Sequence, residues 1–252
     1  MDAAIDAAAA LTYRCVAGGA PDLLLKRLGV ATPRRRAEFA TLERLLSTMP
    51  AFQGAVLECG THHGATLLGM AHVLRRRGIP ARIYGLDSFE GFPEPTPEDA
   101  LDDGTMHPWV RQGGLGDASF ERITAQIERM GLADRIAVIP GFFEATLPRL
   151  ASERFSLVHL DCDLFESYRC CLEFVYPRML PGGYLVFDDY NSDVYAGAHR
   201  AVDEFFSRRP EQIQFFPDLP GRRYFTRMGG AVEPGARVHT PAVRPEEERR
   251  AA

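Results

Sequence analysis

No Cys-x-x-Cys pair occurs among the five cysteines, Cys15, Cys59, Cys162, Cys170 and Cys171, and two of them are adjacent. An odd set spaced this way is neither a disulfide framework nor a zinc-ligand set, and it fits a reducing, cytoplasmic location. No apolar run approaches the ~20 residues of a membrane helix, so no membrane partner is expected. The start, Met1-Asp2-Ala3-Ala4-Ile5-Asp6, lacks the charged-then-apolar pattern of a leader. Positive charge is also in deficit: 29 Lys and Arg against 34 Asp and Glu give a net charge of −5, which removes the electrostatic case for nucleic acid. The runs Arg34-Arg35-Arg36 and Arg75-Arg76-Arg77 read as solvated helix faces. There is no internal repeat and only one tryptophan, Trp109.

What is present is an alternation of short apolar runs and amphipathic stretches. The 252 residues, 46% hydrophobic and 25% charged, suffice for one large α/β core. Residues 1–50 read as a helical extension, with Leu23, Leu24, Leu25 and Leu28 and then Phe39, Leu42, Leu45 and Leu46 on its apolar faces, punctuated by Pro33 and Pro50. This extension would cover the site or form a homo-oligomer contact. From residue 51 to 228, strands at Ala55, Arg82, Ile136, Phe155 and Tyr184 alternate with helices, which predicts a mostly parallel, Rossmann-like sheet with helices on both faces. Ile213–Phe216 and Arg223–Thr226 follow without a helix between them and should pair as a hairpin, adding one antiparallel strand. Residues 229–252, rich in Gly, Pro, Glu and Arg, read as a disordered tail.

Chemistry concentrates where strands end. Leu160-Asp161-Cys162-Asp163-Leu164 and Val186-Phe187-Asp188-Asp189-Tyr190 break from apolar strand into carboxylate. In an open α/β sheet, ligands bind beyond those ends. Carboxylates brought together there must take up protons or hold a cation, and oxygen ligands select a hard ion. Asp163 and Asp189 would also serve as plain helix caps.

The turn after the first strand, Glu58-Cys59-Gly60-Thr61-His62-His63-Gly64, is Gly-x-x-x-Gly rather than the nicotinamide fingerprint Gly-x-Gly-x-x-Gly. Asp87 ends the next strand, where a carboxylate can accept ribose hydroxyls. Gly141-Phe142-Phe143 follows the third strand and could flank an adenine ring. Cys59 and Cys162 read as small buried hydrophobes. His62 and His63 would point apart on a regular helix, one toward the cofactor carboxylate and one to solvent. His159 is expected in the core ahead of the site. The long connection between Asp87 and Asp117, holding Phe89, Phe92, His107 and Trp109, reads as a lid facing the substrate.

Glu58-x-Gly60 with Gly64, the Asp161/Asp188/Asp189 set and Tyr176-Pro177-Arg178-Met179-Leu180-Pro181-Gly182-Gly183 resemble the class I S-adenosylmethionine (SAM) methyltransferases. The ordered series Asp87-Ser88-Phe89-Glu90-Gly91-Phe92-Pro93, Glu144-Ala145-Thr146-Leu147-Pro148, Glu166-Ser167 and Ala201-Val202-Asp203-Glu204-Phe205-Phe206 narrows the resemblance to the macrocin O-methyltransferase (TylF/MycF-like) family, over about residues 54–228. That resemblance implies a seven-stranded sheet, SAM, Mg²⁺, and methylation of a hydroxyl on a sugar of a natural product in antibiotic biosynthesis. The acceptor would be a glycosylated metabolite or nucleotide sugar. The resemblance puts the ion on Asp161, Asp188 and Asp189 and the base on Asp161; on chemistry alone Asp161 or Asp163 could accept the proton. It puts the cofactor on Glu58, Cys59, Gly60, Thr61, Gly64, Asp87, Ser88, Gly141, Phe142, Phe143 and Asp161. The more distant catechol O-methyltransferases keep a catalytic lysine at the position of Leu164, so that base is absent. Trp109, His107, Tyr190 and His199 are the candidate acceptor contacts. Competing readings are a nicotinamide oxidoreductase, a metallohydrolase and a catalytically silent SAM-binding module.

Overall fold

The computed structural model describes residues 33–49, 52–219 and 223–239. The expectations for Leu23 to Leu28, for Pro50 and for the tail beyond 239 lie outside these residues. Helix α1 (Pro33–Thr48) begins with its proline at the first helical position, where a missing N–H costs nothing. Strand β1 (Ala55–Cys59) is buried throughout. Helix α2 (Ala65–Arg76), β2 (Ile83–Asp87), α3 (Phe120–Arg129) and β3 (Ile136–Pro140) follow. Ser119 caps α3 by accepting the Arg122 N–H. The short α4 (Phe143–Thr146) runs into a 3₁₀ turn, and β4 (Phe155–Leu160), α5 (Phe165–Val175), β5 (Met179–Phe187) and α6 (Ala196–Phe206) complete the alternating series.

Strands β6 (Gln214–Phe215), β7 (Tyr224–Arg227) and β8 (Arg237–Val238) extend the sheet, whose order is β3-β2-β1-β4-β5-β7-β6-β8. Pairing is parallel from β3 to β5 and antiparallel beyond. The expected hairpin is present. Among the described residues the sheet nevertheless has eight strands rather than seven, because Arg237–Val238, within the tail expected to be disordered, pairs outside β6. The buried Gln214 holds that segment, accepting the Glu233 N–H at 2.7 Å, while Tyr184 donates its hydroxyl to the Glu233 carboxylate at 2.5 Å.

Both sheet faces are covered, as the unbroken apolar strands require. Leu57, Cys59, Val158, Leu160, Leu185 and Phe187 meet α5 and α6 on one face. Val56, Leu157, Tyr184 and Val186 meet α1, α2 and α3 on the other. The chain winds outward from β1 to β3, then returns to place β4 on the opposite side of β1. The crevice between the C-terminal ends of β1 and β4 is therefore the topological switch point, where such sheets bind ligands.

Candidate active site

At that crevice β1 ends in Gly60 with φ +91°, and a Cβ there would fall 1.7 Å from the Asp161 carbonyl oxygen. Only glycine permits β1 and β4 to run this close, and the Asp161 N–H bonds the Cys59 carbonyl at 2.9 Å. The backbone thus delivers Asp161 to the mouth of the switch point.

Register builds the next layer. Glu58, His159 and Val186 lie side by side across β1, β4 and β5. Asp188, two residues past Val186, returns to the same side. His159 bridges Glu58 (Nδ1 to Oε1, 3.2 Å) and Asp188 (Nε2 to Oδ1, 3.1 Å). Arg223, just before β7, reaches the same Asp188 Oδ1 at 2.6 Å. Burial opposes ionisation of Asp188, but Arg223 and His159 outweigh it and hold its pKa at about 2. Burial likewise opposes protonation of His159, and Asp188 and Glu58 overcome it, lifting the imidazole to about 9. Burial raises Glu58 to about 7 even with His159 alongside. His159 is therefore both a core residue, 1% exposed, and a brace for the site.

The other carboxylates are raised instead. Asp161, Asp163 and Asp189 offer oxygens that lie within 4.8 Å of one another, and Asp161 is shared with a second group, His159–Asp161–Asp188. Burial and then the charges of Asp188, Asp189 and Asp163 push Asp161 well above the usual carboxylate range. Asp163 is raised by burial, Asp189 and Asp188. Asp189 reaches about 7, through burial and Asp188. Asp163 sits in the left-handed region at φ +61°, and its N–H donates to Asp189 Oδ2 at 3.3 Å. Neither Asp163 nor Asp189 is the cap of α5 or α6. The cap positions are Leu164 and Tyr195, with no side-chain cap bond.

A more distant residue substitutes for the missing cap. Asp99, in the long β2–α3 connection, is 2% exposed and accepts the Phe165 N–H at 2.7 Å. Gly197 makes room for it, since a Cβ there would lie 2.0 Å from Asp99 Oδ1. Arg200 donates to the carbonyls of Glu98 and Ala100 on either side. Phe92 and Val110 pack with Leu164, Val194 and Tyr195. The connection is thus fastened over the Asp163 loop, with Phe92 but neither Phe89 nor the exposed Trp109 in that packing. The sequence reading missed Asp99, Gly197 and Arg223. Only the capping-box pattern Thr96-x-x-Asp99 hinted at one of them.

The remaining candidates divide. Asp87 accepts the His62 N–H at 2.7 Å and the Phe89 N–H at 2.8 Å. Each of its oxygens keeps a second lone pair for a hydroxyl. Gly64, at φ +78°, is the N-cap of α2. Thr61 is buried against the Leu86 carbonyl, and Ser88 spends its hydroxyl on the Gly91 carbonyl inside the loop. Gly141 donates to the Asp87 carbonyl at 2.8 Å, leaving Phe142 exposed and Phe143 half-buried beside it. Cys59 is buried with Cys162 and Cys171, so only its backbone faces the crevice.

Tyr190 is a correction. It is fully buried, donates to Asp203 Oδ1 at 2.6 Å and packs on Phe187 and Tyr224, out of reach of any acceptor. His199 pairs with the same Asp203 at 2.9 Å. Trp109 is 64% exposed and stands edge-on to His107. His62 and His63 are corrected too. They precede α2 on a turn, with His62 at φ +46°, so their rings lie 3.9 Å apart rather than diverging.

Residues 34–214 match the family model of macrocin-O-methyltransferase (TylF). A tetracenomycin-C rhamnosyl 4'-O-methyltransferase of Streptomyces olivaceus is 37% identical over 142 residues, 56% of this chain and 54% of that one. The mycinamicin III 3''-O-methyltransferase of Micromonospora griseorubida is 31% identical over 159 residues, 62% and 61% of the two chains. The matches thus span between about half and three fifths of these relatives. A calicheamicin methyltransferase superposes with a TM-score of 0.61 at 24% identity over 77% of each chain. The O-methyltransferase NovP superposes at 0.59 and 23% identity over 79% and 81%. At such identities these two show the shared fold. Among the described residues no helix is long and apolar enough to cross a membrane. With nearly three quarters of its length inside the family model, the chain belongs to the macrocin O-methyltransferase family.

Proposed function

We propose that this protein is a metal-dependent O-methyltransferase that moves a methyl group from SAM to a hydroxyl on a sugar of a natural product. The observation that carries the reading is the buried Asp161–Asp163–Asp189 cluster at the switch point, together with membership in a family whose curated relatives are named for such reactions.

The donor set fits a hard dication: burial and then mutual repulsion raise its carboxylates, and Arg223 and His159 only partly offset the rise at Asp189. Asp161 and Asp189 would hold Mg²⁺. Asp188 would join through Oδ2, because its cationic contacts both fall on Oδ1. An ion held there would relieve the repulsion and lower the pKa of a hydroxyl beside it. SAM supplies a methyl already activated on a sulfonium, so the protein must align the acceptor and receive its proton.

The residues of the chain divide that work. Gly60 lets the Asp161 backbone close in beside the methionine end, Asp87 accepts the ribose hydroxyls, and Phe142 with Phe143 flanks the adenine. Asp163, turned inward by its left-handed backbone and hydrogen-bonded to Tyr195, accepts the acceptor's proton. Trp109 and His107 on the cover contact the sugar, with His199 as a further candidate contact. The acceptor is a glycosylated metabolite or a nucleotide sugar.

The test is incubation with labelled SAM, Mg²⁺ and a panel of glycosylated metabolites and nucleotide sugars. Label should reach at least one sugar hydroxyl, chelator should stop it, and Asp189→Asn should abolish it while SAM binding persists. Transfer that survives both chelator and Asp189→Asn rejects the metal-dependent mechanism. SAM binding without transfer to any acceptor leaves a silent binding module.

A further inference from the structure

Outside this centre, a second group of ligand-type side chains converges at the opposite lip of the crevice. His62 Nε2 lies 2.8 Å from Asp117 Oδ1, and His63 Nε2 lies 3.3 Å from Asp117 Oδ2. The three ligand atoms lie within 4.8 Å of one another. The imidazoles are consecutive in the chain, and the left-handed backbone of His62 turns them side by side. The methyl-transfer mechanism uses none of the three side chains.

From this juxtaposition we infer that His62, His63 and Asp117 form a transition-metal site that fastens the end of the cover loop to the cofactor turn. Two imidazole nitrogens and a carboxylate are a borderline donor set, suited to Zn²⁺ and disfavoured by Mg²⁺. Zinc bonds of about 2.0–2.2 Å place ligand atoms roughly 3.3 Å apart, so the set, within 4.8 Å, needs only small side-chain adjustments to close on an ion. Three protein ligands leave a tetrahedral position open to water. The side chains are 29%, 42% and 70% exposed, so an ion can enter without unfolding. As plain ion pairs at that exposure they would contribute little.

The position gives the site a consequence. The His62 N–H holds Asp87 Oδ2, and Asp117 lies two residues before the Ser119 cap of α3, at the exit of the connection that covers the carboxylates. A shared ion would tie that exit to the turn between Gly60 and Gly64. The inference does not depend on the methyl-transfer reading, because the two centres share no residue.

The test is zinc binding to the full, untagged chain by equilibrium dialysis. Wild type should bind one zinc equivalent that survives Asp189→Asn. His63→Gln and Asp117→Asn should each weaken that equivalent at least tenfold. Unchanged affinity in both variants, or zinc lost only with Asp189→Asn, overturns the site. Should either variant misfold, imidazole ¹⁵N spectra of the wild type decide. One zinc equivalent should move two Nε2 resonances, and none moving overturns it. Amide exchange around Asp117 should slow with zinc bound. Exchange that does not respond to bound zinc overturns the fastening.

Discussion

The carboxylate site has two halves that are opposite in electrostatics. In one, Glu58, His159, Asp188 and Arg223 stand across β1, β4, β5 and β7 and neutralise one another. In the other, Asp161, Asp163 and Asp189 gather on loops and raise one another's pKa on top of the effect of burial. The neighbours Asp188 and Asp189 show the contrast most sharply, one held at about 2 and the other raised to about 7. Cross-strand register gives Asp188 two basic partners, while Asp189 turns toward Asp163 and Tyr168. The proposed cation would therefore draw chiefly on the second half, with Asp188 reaching it from the first.

The largest effect should come where the halves meet. Gly60→Ala would drive a methyl group into the Asp161 carbonyl and strain a left-handed residue. Its thermal midpoint and SAM binding should both collapse; a variant that melts with wild type would show that β1 and β4 are not so tightly joined. The next test should give opposite signs. In chelator at pH 8, Asp188→Asn removes the carboxylate that Arg223 and His159 both contact and should cost about 2–4 kcal/mol. Asp189→Asn relieves repulsion and should stabilise by about 1–3 kcal/mol. Urea unfolding measures both, and equal signs would erase the distinction between the halves.

The pH dependence follows the same division. Asp189 binds its proton more tightly folded than unfolded, so metal-free stability should fall as pH rises from about 4 to 7. Saturating Mg²⁺ should flatten that arm. His159 is raised to about 9, so its contribution is complete below about 6.5 and lost as pH rises through 9. Asp188 contributes above about 4 and loses that contribution toward pH 2. Melting curves across pH, with and without Mg²⁺, separate the arms.

A smaller loss is expected for Asp99→Ala, about 1–2 kcal/mol for an uncapped Phe165 N–H. Amide exchange should show the cover loosening. The least effect on stability belongs to the exposed Trp109→Ala, within about 0.5 kcal/mol. Its signature should be a higher KM for the acceptor with KM for SAM unchanged.

Much of this was readable along the chain. The strand ends at Asp161 and Asp188-Asp189, the turn at Gly60 and the position of Asp87 each follow from local periodicity, and all converge at the crevice. The exchange of roles within the acidic set was not readable, because the cation that holds Asp188 comes from Arg223, and the fastening of the cover joins Asp99 to Gly197. The histidine pair misled for another reason. A helical direction was assumed for residues that lie one turn before the helix. Tyr190 misled because adjacency to Asp189 does not reveal that the side chain turns away into the α6 core.

Sequence alone determined the alternating α/β architecture, its covered parallel strands, and the carboxylates and glycines at strand ends, because burial pattern and backbone tolerance are local properties. Only the tertiary structure decided which carboxylates are neutralised, what fastens the cover and where β8 pairs. Charge compensation and edge pairing depend on partners far away in the chain, and strand register, not spacing, brings them together.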